Sequence, residues 1–179
     1  TNRSGKPGKH GSVQTLSDLP QHQPLVLVVP GEQLVIHQLT LPARSRSRLL
    51  QAIPNVLEEQ LAADLENLHF ALLHWQRGGP ASVAVVAQSL MTQWLDACLQ
   101  SRRQPLQMIP DFLCLPRHPQ STVTIAQTTA DQILIRDGEF SGLAMAVDDL
   151  PYWLEAQSDA VPLIAVNNAA LAAKLTDLG

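Results

Sequence analysis

Apolar positions change their spacing several times along the chain, and each change marks an element. An unbroken apolar run at residues 25–29 ends at Pro30-Gly31, after which Leu34, Ile36, Leu39 and Leu41 recur with near-alternating polar neighbours. This predicts two strands joined by a tight Pro-Gly turn. Between residues 44 and 65 the period lengthens: Leu50, Ile53, Leu57 and Leu61 repeat at three and four residues, with Leu49 and Val56 widening the stripe. That is the signature of an amphipathic helix, and Pro54 inside it predicts a kink or a division into two pieces. At about 100° per residue, Arg44, Arg48, Gln51, Asn55, Glu59 and Ala62 fall on the opposite, polar face.

Residues 68–76 and 82–87, separated by Arg77-Gly78-Gly79-Pro80, predict a hairpin. A second amphipathic helix follows over 89–102 with Met91, Trp94, Leu95 and Cys98 on one face, and 106–109 is a short strand. The order strand, helix, strand, strand, helix, strand over 33–109 predicts an α/β unit with a sheet on one side and two helices on the other. The remainder predicts a second unit: strands at 123–126, 133–136, 142–146 and 161–166, a turn at Asp137-Gly138, and helices at 148–156 and from 168.

Composition narrows the class. No stretch approaches 18 unbroken apolar residues, so the chain itself carries no membrane-span signal. Its two cysteines, Cys98 and Cys114, are too few for a disulfide scaffold and point to a reducing compartment. Net charge is −4, which argues against a general nucleic-acid binder. The charge is uneven: residues 1–130 carry 10 basic and 8 acidic groups, residues 131–179 carry 2 and 8. A basic interaction surface is therefore expected in the first two-thirds. Residues 1–13, rich in Gly, Ser and cationic side chains, read as a flexible end.

Motifs for catalysis fail on spacing. Gly5-Lys6-Pro7-Gly8-Lys9 lacks the four-residue gap of a phosphate loop, and Gly138-Glu139-Phe140-Ser141-Gly142 puts its serine one place late for a nucleophile elbow. His69 and His74, at odd separation in a strand, are expected on opposite faces, and Cys114 with His118 lacks a second ligand pair. No metal is expected, and Trp75, Trp94 and Trp153 read as packing residues. One feature departs from the stability optimum. Arg44, Arg46 and Arg48 open the first helix while Glu58, Glu59, Asp64 and Glu66 stand near its end, both sets opposed to the helix dipole. That arrangement fits either a solvated face on which the small cost is tolerated or a partner surface on which charge selects orientation.

Leu25-Val-Leu-Val-Val-Pro-Gly-Glu32, Leu41-Pro42-Ala-Arg44, Gln51-Ala-Ile-Pro54, Leu57-Glu-Glu-Gln-Leu-Ala62, Asn67-Leu-His-Phe-Ala71, Ile109-Pro-Asp111-Phe-Leu-Cys-Leu-Pro116 and Ile135-Arg-Asp-Gly138 follow in order. This set resembles the cytoplasmic region of the L protein of bacterial type II secretion systems, over roughly residues 12–178. The resemblance implies a mixed α/β, actin-like ATPase-related fold with ribonuclease-H-like subdomains and an inserted smaller α/β domain. Residues 14–32 would belong to the first such subdomain, 33–110 to the inserted βαββαβ domain and 111–179 to the second. It also implies a non-catalytic scaffold without cofactor, at the cytoplasmic face of the bacterial inner membrane, in a protein that extends into a membrane helix. Its partners would be the N-terminal domain of the secretion ATPase, the platform proteins M, F and C, and a second copy of the chain. Arg44, Arg48, Gln51, Asn55, Glu58 and Glu59 are the expected partner-binding residues. The alternatives are an actin-like nucleotide-binding protein and a type IV pilus-assembly adaptor. Against nucleotide, Glu139 and Phe140 fit badly where backbone amides must approach phosphate.

Overall fold

The computed structural model describes residues 11–20, 23–117, 122–157, 164–166 and 169–177. Three small sheets carry the described chain. β1 (Leu25–Val29) pairs in parallel with β5 (Pro105–Pro110), giving a two-stranded sheet. β2 (Leu34–Thr40), β4 (Pro80–Ala87) and β3 (Leu68–Trp75) form an antiparallel sheet in the order β2-β4-β3. The third sheet runs β8 (Leu143–Ala146), β7 (Gln132–Arg136), β6 (Val123–Gln127), β9 (Ile164–Val166).

The first sheet corrects two expectations. β1 and β2 are not a hairpin, because Pro30-Gly31 leads into a single 3-10 turn, Gly31–Gln33, that sends β2 to a different sheet. β5 likewise leaves the neighbouring β2-β4-β3 sheet and pairs with β1, which lies about 80 residues earlier. A Pro-Gly pair signals a change of direction but not the strand that will be met afterwards.

The helix α1 (Arg46–Leu57) packs on the β2-β4-β3 sheet. Ser45 caps it, its hydroxyl accepting from the Arg48 amide at 3.4 Å. Leu49, Ile53 and Leu57, four residues apart, are fully buried against Leu39, Ala81, Val83 and Val85. Each contributes roughly 1.5–3 kcal/mol by leaving water. The helix runs through Pro54 and passes at Leu57 into a 3-10 turn, Glu58–Gln60, so Leu61 joins the core from a loop instead of a last helical turn. Leu50 and Val56 lie at the edges of the stripe, 38% and 39% exposed.

β3 carries a bulge between Leu72 and His74. His69 then pairs with Val86 and His74 with Ser82, positions an even number apart on β4, so both histidines share one face. The expectation of opposite faces is wrong because the bulge adds a residue. They still cannot share an ion, since four residues of β4 separate their partners by about 13 Å, and no metal-binding group of three or more ligands occurs among the described residues. His118 and residues 5–9 lie outside the described residues.

β4 runs directly into α2 (Gln88–Gln100), which buries Cys98, half-buries Met91 and Trp94 and leaves Leu95 42% exposed. A second core gathers Val123, Ile125, Ile133, Ile135 and Val147 with Leu150 of α3 (Leu150–Ala156) and Leu171 of α4 (Ala169–Asp177). Trp75 and Trp153 pack against the first and second cores respectively. No helix among the described residues is long and apolar enough to cross a membrane.

Candidate docking face and the joint behind it

Burying Leu49, Ile53 and Leu57 turns the opposite side of α1 outward. Arg48, Gln51 and Asn55 therefore lie on one exposed side of the helix, with Arg44 exposed before its Ser45 cap and Glu58 and Glu59 exposed in the 3-10 turn that follows it. All six expected partner-binding residues are exposed, and Arg46 is exposed next to them. The first turn of α1 holds no acidic residue and the last holds no basic one. Among the described residues the ion pair is Arg117 with Glu139, 3.7 Å apart on another part of the surface. The arginines at one end of this outer seam and the carboxylates at the other are thus without ionic partners within the described chain. Beyond Glu58 the seam borders a shallow cleft lined by Leu61, Ala62, Asp64, Leu65 and Glu66.

The sheet beneath α1 is tied to the rest of the molecule by residues that periodicity did not single out. Phe112 is fully buried, in a 3-10 turn, Asp111–Cys114, that follows β5. One edge of its ring lies against Gly31 and the other against Gly142: a Cβ on Gly31 would stand 2.3 Å from Cδ1, and one on Gly142 2.6 Å from Cδ2. Only glycine admits the ring at both places. The Asp111 carboxylate accepts from the amides of Gly31 (3.0 Å) and Phe112 (2.7 Å).

Arg136 gathers the loops around this joint. Its Nη1 donates to the carbonyls of Leu113 (2.7 Å) and Leu115 (2.6 Å), Nε to Gly138 (3.1 Å) and Nη2 to Glu139 (2.9 Å). Burial and the neighbouring Arg117 both lower its pKa; a guanidinium remains charged regardless. Burial, and then the Asp111 carboxylate, push the Cys114 thiol up, with Arg136 acting the other way. Arg103, only 6% exposed, donates to the carbonyls of Leu19, Pro20 and Gln23 and so holds the segment before β1.

The loop 137–142 reaches the β2-β4-β3 sheet. Phe140 stacks on His74 with ring centroids 4.5 Å apart, and its carbonyl accepts from the Gln38 side chain at 3.1 Å, while the Ser82 hydroxyl donates to the same Gln38 at 2.8 Å. The segments that meet at the joint and this loop are Pro-Gly-Glu32, Pro-Asp111-Phe and Arg136-Asp-Gly, all quoted for the family resemblance. The sequence signal for the joint was therefore present in the motifs, not in the periodicity.

A family model described as type II secretion system (T2SS), protein L, matches residues 2–176. Type II secretion system protein L of Dickeya chrysanthemi is 33% identical over 161 residues, covering 88% of this chain and 38% of that protein. Its counterpart in Klebsiella pneumoniae is 37% identical over 149 residues, covering 83% and 37%. The chain thus spans under two-fifths of the length of these relatives. Among solved structures, the cytoplasmic domain of EpsL, an inner membrane component of the type II secretion system of Vibrio cholerae, superposes with a TM-score of 0.65 at 20% identity, over 88% of this chain and 74% of that one. A PilM-PilN type IV pilus biogenesis complex gives 0.50 at 16%, over 88% and 51%. At these identities the likeness concerns the fold, and it supports the mixed α/β, actin-like ATPase-related class.

Proposed function

Because the chain belongs to the type II secretion system protein L family, we propose that it is a non-catalytic scaffold that holds the N-terminal domain of the secretion ATPase at the cytoplasmic face of the inner membrane. The observation that carries this reading is the outer seam of α1, whose arginines and carboxylates are exposed and ionically unpartnered among the described residues. Charges set against a helix dipole cost some tenths of a kcal/mol each, and a partner of matching charge offsets that cost on binding. The platform proteins M, F and C are the further partners that a member of this family would meet, through parts of the parent protein that include a membrane helix.

Calorimetric titration with the ATPase's N-terminal domain tests the assignment. Arg44→Ala with Arg48→Ala, and separately Glu59→Ala, should weaken binding by about two- to tenfold and flatten its salt dependence, the scale of exposed charge pairs. Unchanged affinity in all three substitutions removes the site. The nucleotidase alternative is tested by melting with Mg-ATP. A ligand at about 100 times its dissociation constant adds about 2.7 kcal/mol, whereas the scaffold is expected to show no shift. Occupation of Phe140 by His74 and Gln38 supports that expectation, because the loop that would cradle phosphate is packed against a sheet. The likeness to PilM-PilN favours a pilus-assembly adaptor only at the level of fold.

A further inference from the structure

We propose that the outer edge of β2, a surface distinct from the outer side of α1, receives an extended segment of a partner protein that adds an antiparallel strand to the β2-β4-β3 sheet. β2 pairs with β4 on one side only, so the amides and carbonyls of its alternate residues point away from the sheet. The Leu34 amide turns back to the Gly31 carbonyl, and the Gln38 side chain bonds to Phe140 and Ser82. Among the described residues no other hydrogen bond outside the β4 ladder involves residues 34–40.

An open row of main-chain groups pairs with any extended chain that reaches it, and sheets ordinarily blunt such rows with short strands, bulges, prolines or charges. The other edges of the described sheets are blunted in these ways. β3 carries its bulge between Leu72 and His74, β1 shifts register after Leu25, and β5 has Pro105 and Pro110 at its two ends. β8 and β9 are four and three residues long. β2 has none of these devices: it runs seven residues in unbroken register with no proline and no Asp, Glu, Lys or Arg.

The chemistry of the edge defines the segment that fits. Its main-chain groups call for an extended backbone of matching length, about 24 Å. Val35, 59% exposed, stands across from Val85 and so on the face that carries α1, where it calls for an apolar β-branched residue opposite. A charge at the centre of the segment would find no opposite charge across the strand. The exposed carboxylate of Glu32 stands just before β2. An antiparallel strand ends beside the beginning of its neighbour, so a cation at the C-terminal end of the segment meets Glu32. The occupant is thus an uncharged stretch of alternating β-branched and polar residues that closes on a basic one.

Hydrogen exchange resolved to single amides tests this in two steps. In the chain alone, the β2 amides that face β4 should exchange slowly and the outward ones between them fast. A synthetic peptide of alternating threonine and valine closed by lysine, at near-millimolar concentration, should then slow the outward amides of β2 and leave those of β3 unchanged. The same peptide with its central valine replaced by proline should have no effect, because the ring removes a ladder donor. Val35→Lys in the chain should weaken the valine peptide by about two- to fivefold, the scale of one cross-strand pair. Its melting temperature should stay near the parent's, since the side chain is 59% exposed, and weaker binding is then not lost folding. Slow exchange of every β2 amide in the free chain, equal effects of the two peptides, or protection at β3 in place of β2 overturns the proposal. Protection that grows with chain concentration in the absence of peptide makes a second copy the occupant and overturns it too. None of these outcomes bears on the titration that tests docking at α1.

Discussion

Replacing Gly31 by alanine should be among the costlier single-methyl additions that this molecule can receive. The new Cβ would stand 2.3 Å from Phe112 Cδ1 and 2.6 Å from both Phe112 Cε1 and Asp111 Oδ1. None of these neighbours can yield cheaply. The Phe112 ring is fully buried, with Gly142 against its other edge, and the Asp111 carboxylate is held by two backbone amides. Overpacking of this kind costs about 1–3 kcal/mol, and weakening hydrogen bonds to a charged acceptor adds about 1–2 kcal/mol. The sum, about 2–5 kcal/mol, corresponds to a fall of about 1–2.5 M in the urea midpoint for a slope of about 2 kcal/mol per M. Equilibrium urea unfolding followed by circular dichroism reads it directly. Gly78→Ala is the comparison: with φ at +69° and nothing within 4 Å of its Cβ, it should lose only about 1–2 kcal/mol of backbone conformational energy. Adding Phe112→Leu to Gly31→Ala should cost less than the two substitutions summed, since both act on one contact. A Gly31→Ala midpoint within about 0.3 M of the parent, or strict additivity with Phe112→Leu, would refute the joint as described.

Three further outcomes are expected. Arg136→Leu abandons the carbonyls of Leu113, Leu115, Gly138 and Glu139, and thermal or urea unfolding should show a loss of about 2–3 kcal/mol. Arg103→Ala frees the carbonyls of Leu19, Pro20 and Gln23, so limited proteolysis with mass spectrometry should find faster cleavage before β1 while the second core stays protected. The Cys114 thiol is raised first by burial and then by Asp111. Less thiolate exists at a given pH, so its alkylation should lag a model thiol near neutrality and its rate profile should lie at higher pH; a profile at or below the model thiol's contradicts the environment described.

What was legible in the sequence follows the range of the interactions concerned. The buried stripe of α1 and the polar side opposite it depend on residues three and four apart: the period that set Leu50, Ile53 and Leu57 inward, with Leu49 and Val56 beside them, also turned Arg48, Gln51 and Asn55 outward, and the structure shifts the stripe to Leu49, Ile53 and Leu57, leaving Leu50 and Val56 partly exposed. The bulge in β3 was not legible, because nothing in Leu72-Leu73-His74 distinguishes a residue that pairs from one that is skipped. Pairing of β1 with β5 was not legible either, since parallel partners share no turn to announce them and the whole β2-to-α2 segment intervenes. The candidate seam was thus found by local pattern. The joint needed three segments at once and surfaced only as an ordered set of motifs.

The joint bears on the seam through geometry. The β2-β4-β3 sheet carries α1 on one face and receives the loop 137–142 through Gln38, Ser82 and His74, which all point to the other face by their register on β4. Glu32, just before β2, accepts from the Gln132 side chain at the start of β7, and Gly31 is fixed by Asp111. Attachments on the back of the sheet and at the entry to β2 leave α1 no rigid swing that keeps them all. For α1 to reorient, the Phe140 stack, the Gln38 bridge and the Gly31 amide contact would have to break together. A partner docking on the proposed seam would therefore have its orientation set relative to the β8-β7-β6-β9 sheet without the cost of ordering a loose lobe.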